Sequence, residues 1–190
     1  MSTWFRDYVY IPLGGSKGGM WMKIRNTFII FLLSGFWHGA NWTFIVWGAL
    51  NALYFMPLLI FGKNRDNIEI VAQGRYLPTW KELMSMIITF GLTVFAWIFF
   101  RAESVSQAFA IVGEIFSAST LSMPKEVPYM LLPLLAIFLA VEWLGRENKY
   151  AIEKFFFERS RVLRWGFYYS IAMIIFLFAG KEQQFIYFQF

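Results

Sequence analysis

Long apolar runs alternate with short charged ones along this chain, and the runs have membrane-spanning length. Leu83–Phe100 carries no charge and predicts a transmembrane helix, since a helix crosses the hydrocarbon core in about 20 residues. Val127–Leu144 and Trp165–Ala179 predict two further spans. Pro133 should kink the first of these, and Glu142 near its end should reach the headgroups. Asn26–Gly62 is too long for one ordinary pass. About a dozen residues separate Arg25 from His38, roughly half a bilayer at about 1.5 Å per residue. Either a half-depth helix breaks there and returns, or one long helix is broken between Gly35 and Gly39. Irregular backbone at such a depth must be sheltered by protein or line a cavity.

The polar intervals complete the outline. Ser2–Leu13 mixes Trp4, Phe5, Tyr8 and Tyr10 with Arg6 and Asp7, a pattern suited to the membrane–water boundary. Pro12–Gly19 reads as a flexible, glycine-rich connector. It does not match a nucleotide P-loop, because Lys17 is followed by glycine rather than serine or threonine. Ser104 and Gln107 have the form of a capping box opening a helix to about Phe116. Its apolar positions 105, 108, 109, 112, 115 and 116 share one face, so this helix should lie along the interface. If Asn26–Gly62 goes in and returns, Met1–Arg25, Gly62–Glu82 and Gly145–Arg164 fall on one side, with four, four and six Lys or Arg. Arg101–Glu126 and the tail, with two and one, fall on the other. The positive-inside rule therefore favours the in-and-return arrangement, with the C-terminus outside.

Composition supports the same picture. The chain is 58% hydrophobic, 22% aromatic and only 15% charged, with a mean hydropathy of +0.52. Its 23 phenylalanines and nine tryptophans exceed what one soluble core would bury, whereas lipid can face such surface freely. The expected fold is all-α: a polytopic membrane helical bundle, a single membrane domain over 1–190, with a re-entrant segment or short helical hairpin around His38 and one interfacial amphipathic helix. With no cysteine and one histidine, thiolate catalysis and Cys- or His-cluster metal sites are not expected. The net charge of +5 follows from basic connecting segments and implies no nucleic acid. No signal-peptide pattern opens the chain; Met1 runs straight into Ser-Thr-Trp-Phe-Arg-Asp-Tyr.

Chemistry concentrates at Ser34–Trp42, Ser-Gly-Phe-Trp-His-Gly-Ala-Asn-Trp, which holds the only histidine. An ionisable group between apolar runs is costly and is a functional hypothesis by default; the plainer alternative is a histidine hydrogen-bonded to backbone. A neutral imidazole can accept a proton from a hydroxyl attacking an activated carbonyl, and the resulting oxyanion then needs donors. Asn41 shares a face with His38 if Trp37–Trp42 is helical, and otherwise serves as a helix cap. The indole N–H groups of Trp37 and Trp42 are further candidates, although tryptophans are also ordinary interfacial residues. The loop carrying Lys17, with Lys23 and Arg25, could attract an anionic donor, and Arg6 and Asp7 are further substrate-binding candidates. An Arg–Asp pair at an interface is more often structural, and the charge bias alone accounts for Lys17.

Several stretches together resemble the membrane-bound O-acyltransferase family, in its bacterial alginate O-acetylation branch. They are Arg6-Asp7-Tyr8-Val9-Tyr10-Ile11-Pro12-Leu13-Gly14-Gly15, Ser34-Gly35-Phe36-Trp37-His38-Gly39, Trp47-Gly48, Trp97-Ile98-Phe99-Phe100-Arg101-Ala102 and Phe185-Ile186-Tyr187-Phe188. The resemblance assigns His38 the catalytic role, deep in a membrane tunnel. It implies transfer of an acyl group, usually from a thioester such as acetyl-CoA or an acyl carrier, to a hydroxyl, with no bound cofactor. In this branch the acceptor is an exported polysaccharide such as alginate, served through a periplasmic acetyltransferase partner, and the setting is the bacterial inner membrane with its lipid. Family members are typically more than twice as long. The chain resembles their C-terminal portion, and a second functional histidine in a Trp-His-Ile-Ser-like run would precede Met1 in the missing N-terminal half.

Two other classes compete. A transporter or channel fragment would use His38 as a proton relay, but it should carry more intramembrane acids or bases than Glu142. A catalytically idle scaffold for a periplasmic acetyltransferase would not need His38 at all.

Overall fold

A computed structural model of the chain describes residues 2–63, 69–117, 129, 131–153 and 160–178. All regular structure among them is helical. In order these elements are α1 (Ser2–Phe5), a π-helical turn (Arg6–Tyr10), α2 (Gly19–His38), α3 (Trp42–Ile60), α4 (Trp80–Arg101), α5 (Val105–Ile115), α6 (Leu131–Gly145) and α7 (Arg161–Phe178). Three of them, α3, α4 and α7, are long and apolar enough to cross a membrane. The helical membrane bundle expected from the pattern is what the chain builds. Two compact units divide it, one over 1–69 and 78–123, the other over 70–77 and 124–190.

In the first unit, α2 and α3 form an antiparallel hairpin whose turn, Gly39–Asn41, follows directly on His38. Of the two arrangements open for Asn26–Gly62, the chain adopts the one that goes in and returns. Its first arm is longer than a half-depth helix: α2 has 20 residues, about 30 Å at about 1.5 Å each, and takes in Lys23, Arg25 and Asn26. The arms touch through glycines. A Cβ on Gly35 would lie 2.3 Å from the Phe44 carbonyl oxygen, and one on Gly48 would lie 2.4 Å from that of Phe31. Neither separation tolerates a side chain, so these two glycines set how closely the helices approach. One turn further from the break, Phe31 and Phe55 pack with ring centroids 6.2 Å apart. At its far end α3 stops at Gly62, whose left-handed φ of +69° suits glycine. There Lys63 N–H donates to Leu58 O and Gly62 N–H to Leu59 O, the Schellman pattern.

The loop over 12–18 is not the free connector its glycines suggest. Asn26, fully buried on α2, donates through Nδ2 to the carbonyl oxygens of Leu13 (3.2 Å) and Gly15 (3.0 Å). Its Oδ1 accepts from Arg25, which also donates to Leu13 O. A buried amide satisfied on both sides pins the loop to the start of α2.

Helix α4 begins three residues before the apolar run expected at Leu83, because Thr79 and Glu82 close a reciprocal capping box. After Ala102 the chain enters α5. Ser104 Oγ accepts from Gln107 N–H (3.2 Å), while Gln107 reaches back to Glu103 N–H rather than to Ser104 itself. Phe99, Ala102 and Ala108 form the buried contact between α4 and α5, with Val46, Trp47 and Leu50 of α3 packed against it.

In the second unit, Arg146 just beyond α6 donates to the carbonyl oxygens of Val71 (3.0 Å), Ala72 (2.7 Å), Trp143 (2.6 Å) and Arg75. Trp143 Nε1 donates to Tyr76 O, and Gly74 N–H to Glu147 Oε1. The segment over 70–77 is thereby fastened to the end of α6. Pro133, expected to kink a span, falls in the first turn of α6, where its missing N–H breaks no intrahelical bond. The aromatic run Phe185–Phe188 and the expected start at Val127 lie outside the described residues.

Candidate active site at the hairpin turn

His38 is the last residue of α2 and is half-buried. Three rings from two other helices surround it. Trp47 of α3 lies 5.3 Å away between centroids, with planes at 86°. Phe100 of α4 lies 5.2 Å away at 76°. Phe44 of α3 is more distant, 6.4 Å and tilted by 36°. Phe100 also packs edge-on against Phe44 (5.1 Å) and Trp47 (5.3 Å), so one ring touches all the others. Relative to the long helices the imidazole is near one end: Phe100 is the penultimate residue of α4, and Trp47 lies in the second turn of α3.

Asn41 is the N-cap of α3. Its Oδ1 accepts from Thr43 N–H (3.1 Å), and its Nδ2 donates to Glu103 O (2.9 Å). The helix-cap reading of this residue is the one the geometry contains, with a second bond that ties the hairpin turn to the α4–α5 junction. Trp37 and Trp42 flank the turn at 59% and 75% exposure, outside the ring cluster.

A cavity of about 750 Å³ opens along the same hairpin. Arg6, Tyr10, Ser16 and Lys23 supply polar groups to its wall, while Ile30, Phe31, Phe55 and Leu59 supply apolar ones. On α2 the lining positions are 20, 23, 27, 30, 31 and 34. That spacing is one helical stripe, and the next position on it, four residues beyond Ser34, is His38. His38 is not itself in the cavity wall; Ser34, one turn before it, is the nearest lining residue along α2. Arg6 and Asp7 form an exposed pair, with Nε to Oδ1 at 2.7 Å. That hydrogen bond holds the Asp7 carboxyl below the usual carboxylate range. Lys17 is exposed on the loop and is not among the cavity residues. Among the described residues no group of three or more His, Cys, Asp or Glu side chains is placed to hold a metal ion.

Sequence reasoning did not pick out Phe44 and Phe100 as neighbours of the histidine, nor Trp47 as more than part of a motif. Nothing in their spacing links position 100 to position 38. An available sign was Gly48, a glycine beside Trp47 inside an apolar helix, which marks the close crossing.

Comparison with known proteins adds a family. Residues 1–100 match the profile described as MBOAT, membrane-bound O-acyltransferase family. The chain is 40% identical over 120 residues to a Pseudomonas aeruginosa protein named "Probable alginate O-acetylase AlgI", covering 63% of this chain and 21% of that protein. Its namesake from Pseudomonas putida is 32% identical over 155 residues, covering 79% and 30%. The "Peptidoglycan O-acetyltransferase" of Helicobacter pylori is 31% identical over 123 residues, covering 65% and 22%. The matched region is thus about a fifth to three-tenths of the length of these relatives. No solved structure matches the chain.

Proposed function

Because the chain belongs to the membrane-bound O-acyltransferase family, we propose that it forms the part of an O-acyltransferase in which His38 is the general base. The acyl group, acetyl by analogy with the named O-acetylases, comes from a thioester donor, acetyl-CoA or an acyl carrier. The acceptor is a hydroxyl of an exported polysaccharide. The observation that carries this reading is the ring-walled position of the lone imidazole at the end of the cavity-lining stripe of α2.

An imidazole nitrogen of His38 takes the acceptor's hydroxyl proton as the oxygen bonds to the thioester carbonyl carbon. The tetrahedral oxyanion collapses, the C–S bond breaks, and the departing thiolate recovers the proton from the imidazolium. Positioned base catalysis of this kind contributes about 10²–10⁴-fold. Arg6 and Lys23 attract the anionic part of the donor to the polar end of the cavity, and the apolar wall conducts its acyl arm towards Ser34 and His38. Asp7 orients Arg6, and Lys17 on the exposed loop adds to the positive field at that end. Trp37 and Trp42 supply indole N–H groups on the acceptor side. Asn41, whose amide is already engaged, serves by holding the turn. The setting is the bacterial inner membrane, and a periplasmic acetyltransferase receives or completes the transfer.

The test is acyl transfer in membranes containing the full-length protein. His38→Ala and His38→Gln should each lower kcat by about 10²–10⁴-fold at unchanged protein level. Transfer at the wild-type rate in both variants would remove His38 from the chemistry and leave a scaffold role in its place.

A further inference from the structure

We infer that Phe100 and Trp47 are positioning residues for proton transfer at His38: their rings fix the orientation of the imidazole. The inference rests on the general-base reading of His38 and adds residues to which no role has been given.

His38 is the last residue of α2, and rings from two other helices, α3 and α4, pack against its imidazole. The Trp47 and Phe100 rings stand at 86° and 76° to the imidazole, with centroids 5.3 and 5.2 Å away. Perpendicular rings at that spacing are the favoured aromatic geometry, and two of them on different helices resist rotation about both side-chain torsions. Phe100 is the key member, because it packs against Phe44 and Trp47 as well as against His38. Its own placement is secured by the bond from Asn41 to Glu103 three residues beyond it. A misplacement of about 1 Å in a base is enough to cost about 10²-fold in rate.

A base held in line meets the acceptor's proton only as the transition state forms, so its correct placement raises kcat rather than lowering KM.

The experiment compares aromatic with aliphatic replacements in the full-length protein in membranes, with rates normalised to the amount of protein present. Phe100→Leu and Trp47→Leu should each reduce kcat about tenfold, equivalent to about 1.4 kcal/mol, with KM for the thioester unchanged. Phe100→Tyr and Trp47→Phe, which keep a ring, should recover most of the loss. Wild-type kcat in both leucine variants would overturn the inference. Equal losses in the leucine variants and in their aromatic counterparts would also overturn it, since the rings would then act only as packing. His38→Ala run alongside separates the two levels. Transfer surviving in that variant defeats the base itself. Transfer lost there but retained in the leucine variants defeats only the role of the rings.

Discussion

The side-chain amide of Asn41 donates to the carbonyl oxygen of Glu103 across 2.9 Å, while its own oxygen caps α3 through Thr43 N–H at 3.1 Å. One residue thus closes the hairpin turn beside His38 and fixes the turn against the α4–α5 junction that carries Phe100. The two bonds separate by mutation. Asn41→Asp keeps a capping oxygen and loses the donor to Glu103; Asn41→Ala loses both. Loss of an N-cap costs about 0.5–2 kcal/mol, and a net hydrogen bond about 1 kcal/mol. Thermal unfolding in detergent should rank the three proteins wild type, Asn41→Asp, Asn41→Ala. Equal stability of the aspartate and wild-type proteins would show that the Glu103 bond contributes nothing.

Gly35 and Gly48 make the hairpin possible, and their replacement tests it. An alanine Cβ at either position would come within 2.3–2.4 Å of a backbone oxygen on the other helix. No flexible side chain is available to yield, so the helices must separate. Overpacking of this kind costs about 1–3 kcal/mol, and the rings carried by α3 would move away from His38. Gly35→Ala and Gly48→Ala should therefore lower both the unfolding temperature and acyl transfer. Gly91→Ala is the control, since a Cβ there meets nothing within 4 Å. If all three variants unfold alike, close approach at the two glycines does not govern the hairpin.

Much of this could be read from the residues, and what could not has a physical cause. Charge-free length announced α4, and the excess length of Asn26–Gly62 with the positive-inside bias announced the hairpin. The hydropathy run begins at Leu83, whereas the helix begins three residues earlier at Trp80, directly after its cap Thr79. The motif Thr-Trp-Lys-Glu that forms that cap is legible once polar residues are read for hydrogen bonding as well as for hydropathy. The loop over 12–18 is fixed against the expectation its glycines raise: they advertise freedom, but a single amide eleven residues beyond Gly15 removes it. His38 itself stood out as a lone titratable group among apolar residues. Its neighbours did not, because Phe100 is 62 positions away and one phenylalanine among 23 carries no mark of what it will touch.

Arg146 is the organising residue of the second unit, and lysine should not replace it. The guanidinium serves four carbonyl oxygens, of Val71, Ala72, Arg75 and Trp143, and lies over the Trp143 ring with its central carbon 4.4 Å from the centroid. A lysine ammonium has three donors on one atom and cannot span that fan or stack in the same way. Arg146→Lys should cost about 2–4 kcal/mol in the stability of this unit. Hydrogen exchange is the direct measurement: the amide of Gly74, which donates to Glu147, should lose protection in the variant, while amides of α2 and α3 keep theirs. Protection unchanged at Gly74 would mean that the segment over 70–77 is held by something other than Arg146.

The cavity predicts a charge effect that falls on donor binding rather than on chemistry. Lys23 and Arg6 line its polar part, whereas His38 lies one turn beyond the last α2 residue in its wall. An anionic donor should feel Lys23 before reaction and equally during it, and uniform binding of that sort changes KM and leaves kcat alone. Lys23→Gln should therefore raise KM for the thioester several-fold with kcat within about twofold of wild type, and the effect should shrink at high salt as surface charge is screened. Arg6 differs in having a partner. Asp7 accepts its hydrogen bond, and that bond keeps the carboxylate ionised to lower pH than an unpaired aspartate. The pair is therefore intact above the ordinary carboxylate range and is lost only as pH falls through the depressed value. Between pH 6 and 8, Asp7→Asn should thus change the pH dependence of KM very little, while leaving Arg6 more mobile and KM modestly higher at every pH in that range. A fall in kcat with unchanged KM in Lys23→Gln would place this lysine at the reacting centre instead, and the cavity would no longer be the donor's path.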